Sequence, residues 1–276
     1  MSKYYNPPRR TNFDPNSTAP FRLSRSKIEQ FTNCKKCFYI DQRLGVAQPP
    51  GYPFSLNSAV DGLLKKEFDI HRADKTPHPM MEAYGLDAVP FQHEQIDRWR
   101  EVDFGRGGIH YFHEETGFDV GGAIDDVWVN PAGELIIVDY KATAKNGEVS
   151  LDADWQDGYK RQMEIYQWLF LKNDFKVSPV GYFVYANGKM DKKAFDGKLE
   201  FDIKLIPYEG KTDWIEAALV EIKKTLMSDE MPESSPECDY CVYRNWVIKV
   251  MQPFLRKEKK AKKMELPKKP KEGLGF

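Results

Sequence analysis

Four consecutive aliphatic residues, Leu135-Ile136-Ile137-Val138, run straight into Asp139-Tyr140-Lys141. A short unbroken apolar run suits a strand covered on both faces, and such strands lie in the middle of sheets flanked by helices. The segment before it, Ala123 to Val129, is rich in β-branched and aromatic residues, and Asn130-Pro131-Ala132-Gly133 supplies a turn. Residues 123–129 and 134–141 therefore read as a hairpin. A loop over 130–134 sets Val129 against Leu135, and counting back sets Asp125 against Asp139 on one side of the sheet. Lys141, two residues on, leaves from that same side. Carboxylates that close repel each other unless a cation lies between them, and a hard divalent ion such as magnesium or manganese is the simplest occupant. A hairpin with acids on its wet face is the alternative, and Asp126 rivals Asp125 because a one-residue change of register exchanges their faces.

The rest of the chain bounds these readings. At 276 residues it is long enough to bury a sizeable core, as one large domain or two small ones. No apolar run approaches the ~18–20 residues of a membrane span, and the start lacks the apolar stretch of a signal peptide, so a cytoplasmic protein with no membrane partner is expected. The net charge of −1 hides an uneven distribution, because residues 256–271 carry nine Lys or Arg against two Glu. A G-x-x-x-x-G-K-[ST] phosphate loop is absent, which leaves any ATP-driven step to a separate chain.

Residues 1–22 have few aliphatics and read as a flexible arm, and 253–276 as a basic, disordered tail, with one domain over 23–252. Ser26-Lys27-Ile28-Glu29 has capping-box form and opens a helix expected to run to about Arg43. Ser58–Ile70 has helical spacing, and residues 73–95 hold prolines that predict short helices and irregular chain. A hairpin is expected over 109–112 and 116–120, feeding the central strands. Trp155–Leu171 is a strong helix with Gln162 and Tyr166 one turn apart on one face. Strands over 180–186 and 199–206 and an amphipathic helix over 212–227 complete an α/β order of elements. Early-helix lysines and arginines (Arg25, Lys27, Lys35, Lys36, Arg43) offer a phosphate-tracking patch. The aromatic set Tyr159, Tyr166, Trp168, Tyr182 and Tyr185 offers either a stacking platform or core.

Taken together, Gly122-x-x-Asp125, Asp139-x-Lys141 and Gln162-x-x-x-Tyr166, in that order, resemble the PD-(D/E)XK nuclease superfamily in its RecB-type branch. The resemblance implies a restriction-endonuclease-like mixed central β-sheet flanked by helices. It implies a divalent-metal-dependent DNA nuclease, most simply an exonuclease in DNA repair, recombination or defence. The partners it implies are single-stranded DNA or duplex ends, and a separate helicase or other repair or defence protein. In that family the two motif acids hold magnesium or manganese, so Asp125 and Asp139 become metal ligands with the Tyr140 carbonyl a third. Lys141 neutralises charge or positions water, while Gln162 and Tyr166 orient it. The family's early-helix histidine has no counterpart in Asn57-Ser58-Ala59-Val60-Asp61, where Asp61 can substitute; Glu67 and His71 are weaker candidates. That departure supports the alternative of a catalytically inactive nucleic-acid-binding module with the same fold.

All four cysteines fall in two pairs, Cys34-x-x-Cys37 and Cys238-x-x-Cys241. Two C-x-x-C pairs by themselves are a zinc signature, since four thiolates complete a tetrahedral site. The resemblance extends to RecB-type nucleases with an iron–sulfur cluster, such as the AddB and CRISPR-adaptation proteins, which implies such a cluster here. Position 247 is Val where that pattern places a cysteine, and Cys34 is additional. On either reading residues 34–37 lie beside 238–241, joining the two ends of the domain. A scaffold protein held by thiolate-bound metal, with no nucleic-acid role, is a third reading.

Overall fold

The structure is a computed structural model that describes residues 12–49, 51, 55–102 and 107–265, with side chains to residue 254. Strand β1 (Phe21–Ser24) leads into helices α1 (Arg25–Asn33), α2 (Lys35–Gln42), α3 (Ser55–Asp74) and the short α4 (Pro79–Ala83). Strand β2 (Val89–Pro90) and helix α5 (Ile96–Arg100) precede strands β3 (Ile109–His113), β4 (Phe118–Gly122), β5 (Asp126–Val129) and β6 (Leu135–Thr143). Helix α6 (Asp157–Lys172) crosses to β7 (Val180–Gly188), followed by β8 (Phe201–Glu209), α7 (Trp214–Met227) and α8 (Asp239–Glu265).

The larger sheet has the order β2-β5-β6-β7-β8, with β6 at its centre as the aliphatic run requires. Its β6–β7 pair is parallel and the others antiparallel, so the sheet is mixed. The β5–β6 hairpin has the expected register, Val129 against Leu135 and Asp126 against Val138. Gly133 turns it at φ +74°, a left-handed conformation that glycine adopts without steric penalty, and the Asn130 side chain accepts from the Glu134 N–H at 2.9 Å. The two periodicities of β6 then separate the layers. Ile136, Val138 and Tyr140 face α3, where Leu64 and Phe68 are buried. Leu135 and Ile137 face the opposite core, filled by Met163, Tyr166 and Phe170 of α6, Ile28 and Phe31 of α1, and Ile215 and Leu219 of α7.

Several boundaries differ from those expected. The strand expected over 123–129 begins only at Asp126, because the Ile124 N–H donates to the Trp99 carbonyl (3.0 Å) and the Asp125 carbonyl accepts from Arg100 Nε (3.0 Å). The 109–122 hairpin does not feed the central sheet. It forms a second, three-stranded sheet, β1-β4-β3, in which β1 runs parallel to β4. Residues 12–22 are therefore not part of a flexible arm: Phe13 is buried and Phe21 pairs with Phe118, while residues 1–11 lie outside the described residues. The first helix is two helices. Cys34 is extended (φ −161°, ψ 104°) between them, and Ser24, not Ser26, stands at the N-cap. The tail expected from 253 begins as helix, since α8 continues through Pro253 to Glu265, and residues 266–276 lie outside the described residues. Among the described residues, no helix is long and apolar enough to cross a membrane.

Candidate active site

From the middle of β6 onward the alternation of the strand puts Asp139 and Lys141 on the α6 side. Asp139 is fully buried. Gln162 of α6 donates to its Oδ1 at 2.7 Å, and the Lys141 ammonium forms an ion pair with Oδ2. That ammonium also lies 4.3 Å from the centre of the Tyr159 ring. The Lys141 ammonium is the one partner of Oδ2 among the described residues. Burial, with the Asp125 charge adding to it, pushes the Asp139 carboxyl up to about 7 against the opposing pull of Lys141.

Asp125 lies one residue before β5 and reaches across to β6, where its Oδ2 accepts from the Tyr140 backbone N–H at 2.9 Å. Its other oxygen is 3.4 Å from Lys65 of α3, whose ammonium is also 2.9 Å from Asp61 one helical turn earlier. Burial first, and then the nearby Asp125 charge, raises the Asp61 carboxyl above the usual carboxylate range. Asp125 and Asp139 thus lie beside each other near Lys141, while Asp61 on the early helix is joined to Asp125 through Lys65. Oxygen-only donors suit a hard divalent ion, and a fully buried Asp139 is costly without positive charge beside it, which Lys141 supplies on one oxygen. The residues present fit magnesium or manganese.

The remaining candidates separate cleanly. Asp126 is turned to the α3 side, fully buried, and bound by Arg72, by Arg100 (2.8 Å), by the Tyr140 hydroxyl (2.8 Å) and by Trp128 (3.3 Å). It anchors the core and does not join the site. Glu67 pairs with His78 at 2.9 Å and His71 with Thr76 at 3.1 Å, so neither turns to the acids. Tyr166 is buried, and Gln162 Nε2 lies 3.4 Å from its hydroxyl. A Cβ on Gly122 would come 2.7 Å from the Tyr166 ring, which explains a glycine three residues before Asp125. Of the expected phosphate-tracking residues, Lys27 pairs with Asp41, Lys35 with Glu221 and Arg43 with Asp229. Trp168 and Tyr185 of the aromatic set are core. Lys65 and Arg100 were not singled out from sequence; the i,i+4 spacing of Asp61 and Lys65 was the one available signal.

A second constellation closes the domain. The break at Cys34 turns Cys34 and Cys37 toward the start of α8, where Cys238 and Cys241 lie. The four sulfurs all fall within 4.8 Å of one another, with Cys34–Cys241 at 3.7 Å, Cys37–Cys238 at 3.5 Å and Cys37–Cys241 at 3.4 Å. None is in a disulfide. Arg244 donates to Cys241 Sγ at 3.0 Å. Burial raises the Cys34 thiol, but hydrogen bonds from the backbone at Cys37 and Ser235 outweigh it and bring the group down to about 7. Burial and the surrounding thiols push Cys37 the other way.

Comparison with known proteins identifies the family of the chain. The family model of the PD-(D/E)XK nuclease superfamily matches residues 22–246, which takes in both cysteine pairs and all three acids. Among solved structures, that of SSO0001 is similar at 18% identity over 81% of this chain and 84% of that chain, with a TM-score of 0.35. No curated protein matches the sequence. The chain belongs to the PD-(D/E)XK nuclease superfamily.

Proposed function

We propose that the chain is a divalent-metal-dependent DNA nuclease of RecB type that hydrolyses phosphodiester bonds, acting as an exonuclease in repair, recombination or defence. The observation that carries this reading is the pairing of Asp139 with Lys141 on the central strand, with Asp125 held beside them by the Tyr140 backbone N–H. Asp125 and Asp139 hold the ion, with Asp61 and the Tyr140 carbonyl as further oxygens. A bound magnesium or manganese ion supplies Lewis-acid charge and eases deprotonation of an attacking water. Lys141 neutralises negative charge developing on the phosphate, and Gln162 fixes the Asp139 carboxylate so that both act from one geometry. Single-stranded DNA or duplex ends are the substrates, delivered by a separate helicase or another repair or defence protein.

The four cysteines hold a structural metal. Thiolates at ~2.3 Å around one tetrahedral ion lie ~3.8 Å apart, close to the separations of 3.4–3.7 Å at three of the pairs. An iron–sulfur cluster places irons and sulfides between its thiolates and spreads them wider. The spacing supports zinc, with the cluster as the alternative.

Labelled single- and double-stranded DNA with manganese, compared across wild type, Asp139→Ala and Lys141→Ala, tests the activity. Loss of cleavage in both variants with DNA binding retained supports catalysis. A wild type that binds DNA and cleaves nothing supports the inactive binding module instead.

A further inference from the structure

The Lys65 ammonium stands where a cation between Asp61 and Asp125 would stand. It is 2.9 Å from Asp61 Oδ2 and 3.4 Å from Asp125 Oδ1, with its side chain only 21% exposed. A lysine one turn after an aspartate ordinarily makes a solvated surface pair. Here the second carboxylate comes from the segment just before β5, so the ammonium bridges α3 to the approach of the central hairpin. Asp139 has its own lysine in Lys141.

We propose that Lys65 is the resident counter-ion of the metal-free site and becomes a contact for the phosphodiester once a divalent ion is bound. The inference rests on the nuclease reading above. Lys65 thus already occupies, with its positive charge, the position between Asp61 and Asp125, as Lys141 does at Asp139. The ion and Lys65 compete for Asp125, because like charges in a partly dry cleft repel strongly. The four-carbon stem of lysine lets Nζ leave Asp125 while α3 stays in place. The displaced ammonium remains beside the acids, within reach of the oxygens of an arriving phosphate. Lys65 thereby couples loading of the ion to capture of the anion.

The test measures manganese binding by calorimetry without nucleic acid for wild type, Lys65→Met, Lys65→Gln and Lys65→Arg, with thermal melts confirming that each is folded. Binding of a labelled single strand in calcium is measured beside it. The Met and Gln variants are expected to bind manganese more tightly, between about 5- and 150-fold. They are also expected to bind DNA more weakly, with a salt slope shallower by about one. Lys65→Arg is expected to keep DNA binding. Two variants that bind manganese no better than wild type, while Asp125→Asn loses it, overturn the role of Lys65 and leave the nuclease reading standing. Manganese binding that survives Asp125→Asn and Asp139→Asn overturns both.

Discussion

The Tyr140 backbone N–H donates to Asp125 Oδ2 at 2.9 Å, tying the first acid to the residue after the second. Asp125 has left the β5–β6 ladder, so this bond holds its carboxylate at the strand end beside Asp139. The site is therefore built on the central strand of the larger sheet, and the loop before β5 only completes it. Asp125→Ala is expected to lower manganese affinity and cleavage by more than the ~10–100-fold typical of residues that merely orient ligands. The melting temperature without metal is expected to change little, since removing one of several converging acids relieves repulsion. Calorimetry and single-turnover cleavage check this.

Gln162 touches the chemistry through Asp139 alone among the acids. Gln162→Ala is expected to reduce cleavage by about 10–100-fold, with manganese affinity falling in parallel. Gln162→Glu places a second carboxylate against a buried one and is expected to be worse than alanine. Titrating manganese at fixed DNA for each variant distinguishes weakened ion binding from a slower step.

Asp126, adjacent to the proposed ion ligand Asp125, is expected to behave as a core residue. It is fully buried between Arg72 and Arg100. Asp126→Ala leaves two buried guanidinium groups undercompensated and is expected to destabilise the fold by about 3–5 kcal/mol, read by urea denaturation. A stable, inactive Asp126→Ala would show instead that the residue acts at the ion.

Gly122 separates packing from chemistry in the same way. A methyl group there meets the Tyr166 ring at 2.7 Å, with Arg25 Cβ at 3.3 Å behind it. Gly122→Ala is expected to destabilise by about 1–3 kcal/mol through overpacking, and Gly122→Ala with Tyr166→Leu is expected to recover part of that loss.

The smaller sheet carries a pH dependence of its own. His110 on β3 and Asp119 on β4 are 3.2 Å apart, and this hydrogen bond raises His110 above 6.5 and lowers Asp119 below 3.8, with Arg22 opposing the first and favouring the second. The His110 contribution is complete below the unfolded histidine pKa and is lost as pH rises through the raised folded value. The Asp119 contribution is complete above the unfolded aspartate pKa and is lost as pH falls through the depressed one. Stability from this pair therefore peaks between about pH 4 and 6.5. Urea midpoints at pH 5.5 and 8 are expected to differ less in His110→Gln than in wild type.

The hairpin register, the central place of β6, the α6 helix and the pairing of the two cysteine motifs were legible because each rests on local pattern or on side-chain type. What escaped depends on partners distant in sequence. The Ile124 and Asp125 backbone groups are taken up by Trp99 and Arg100, which ends β5 early, and nothing in residues 123–129 signals it. β1 is a strand because β4 lies beside it, so a segment poor in aliphatics read as an arm. The break at Cys34 has no glycine or proline to mark it, and the apolar spacing of Ile28, Phe31, Cys34 and Phe38 runs through it unbroken. Lys65 became visible only once α3 was laid against the sheet.

Manganese soaked into crystals, located by its anomalous scattering, tests the central claim most directly. The expected result is a peak about 2.1 Å from carboxylate oxygens of both Asp125 and Asp139. A peak confined to the cysteines, or manganese held elsewhere with these two acids untouched, would contradict it.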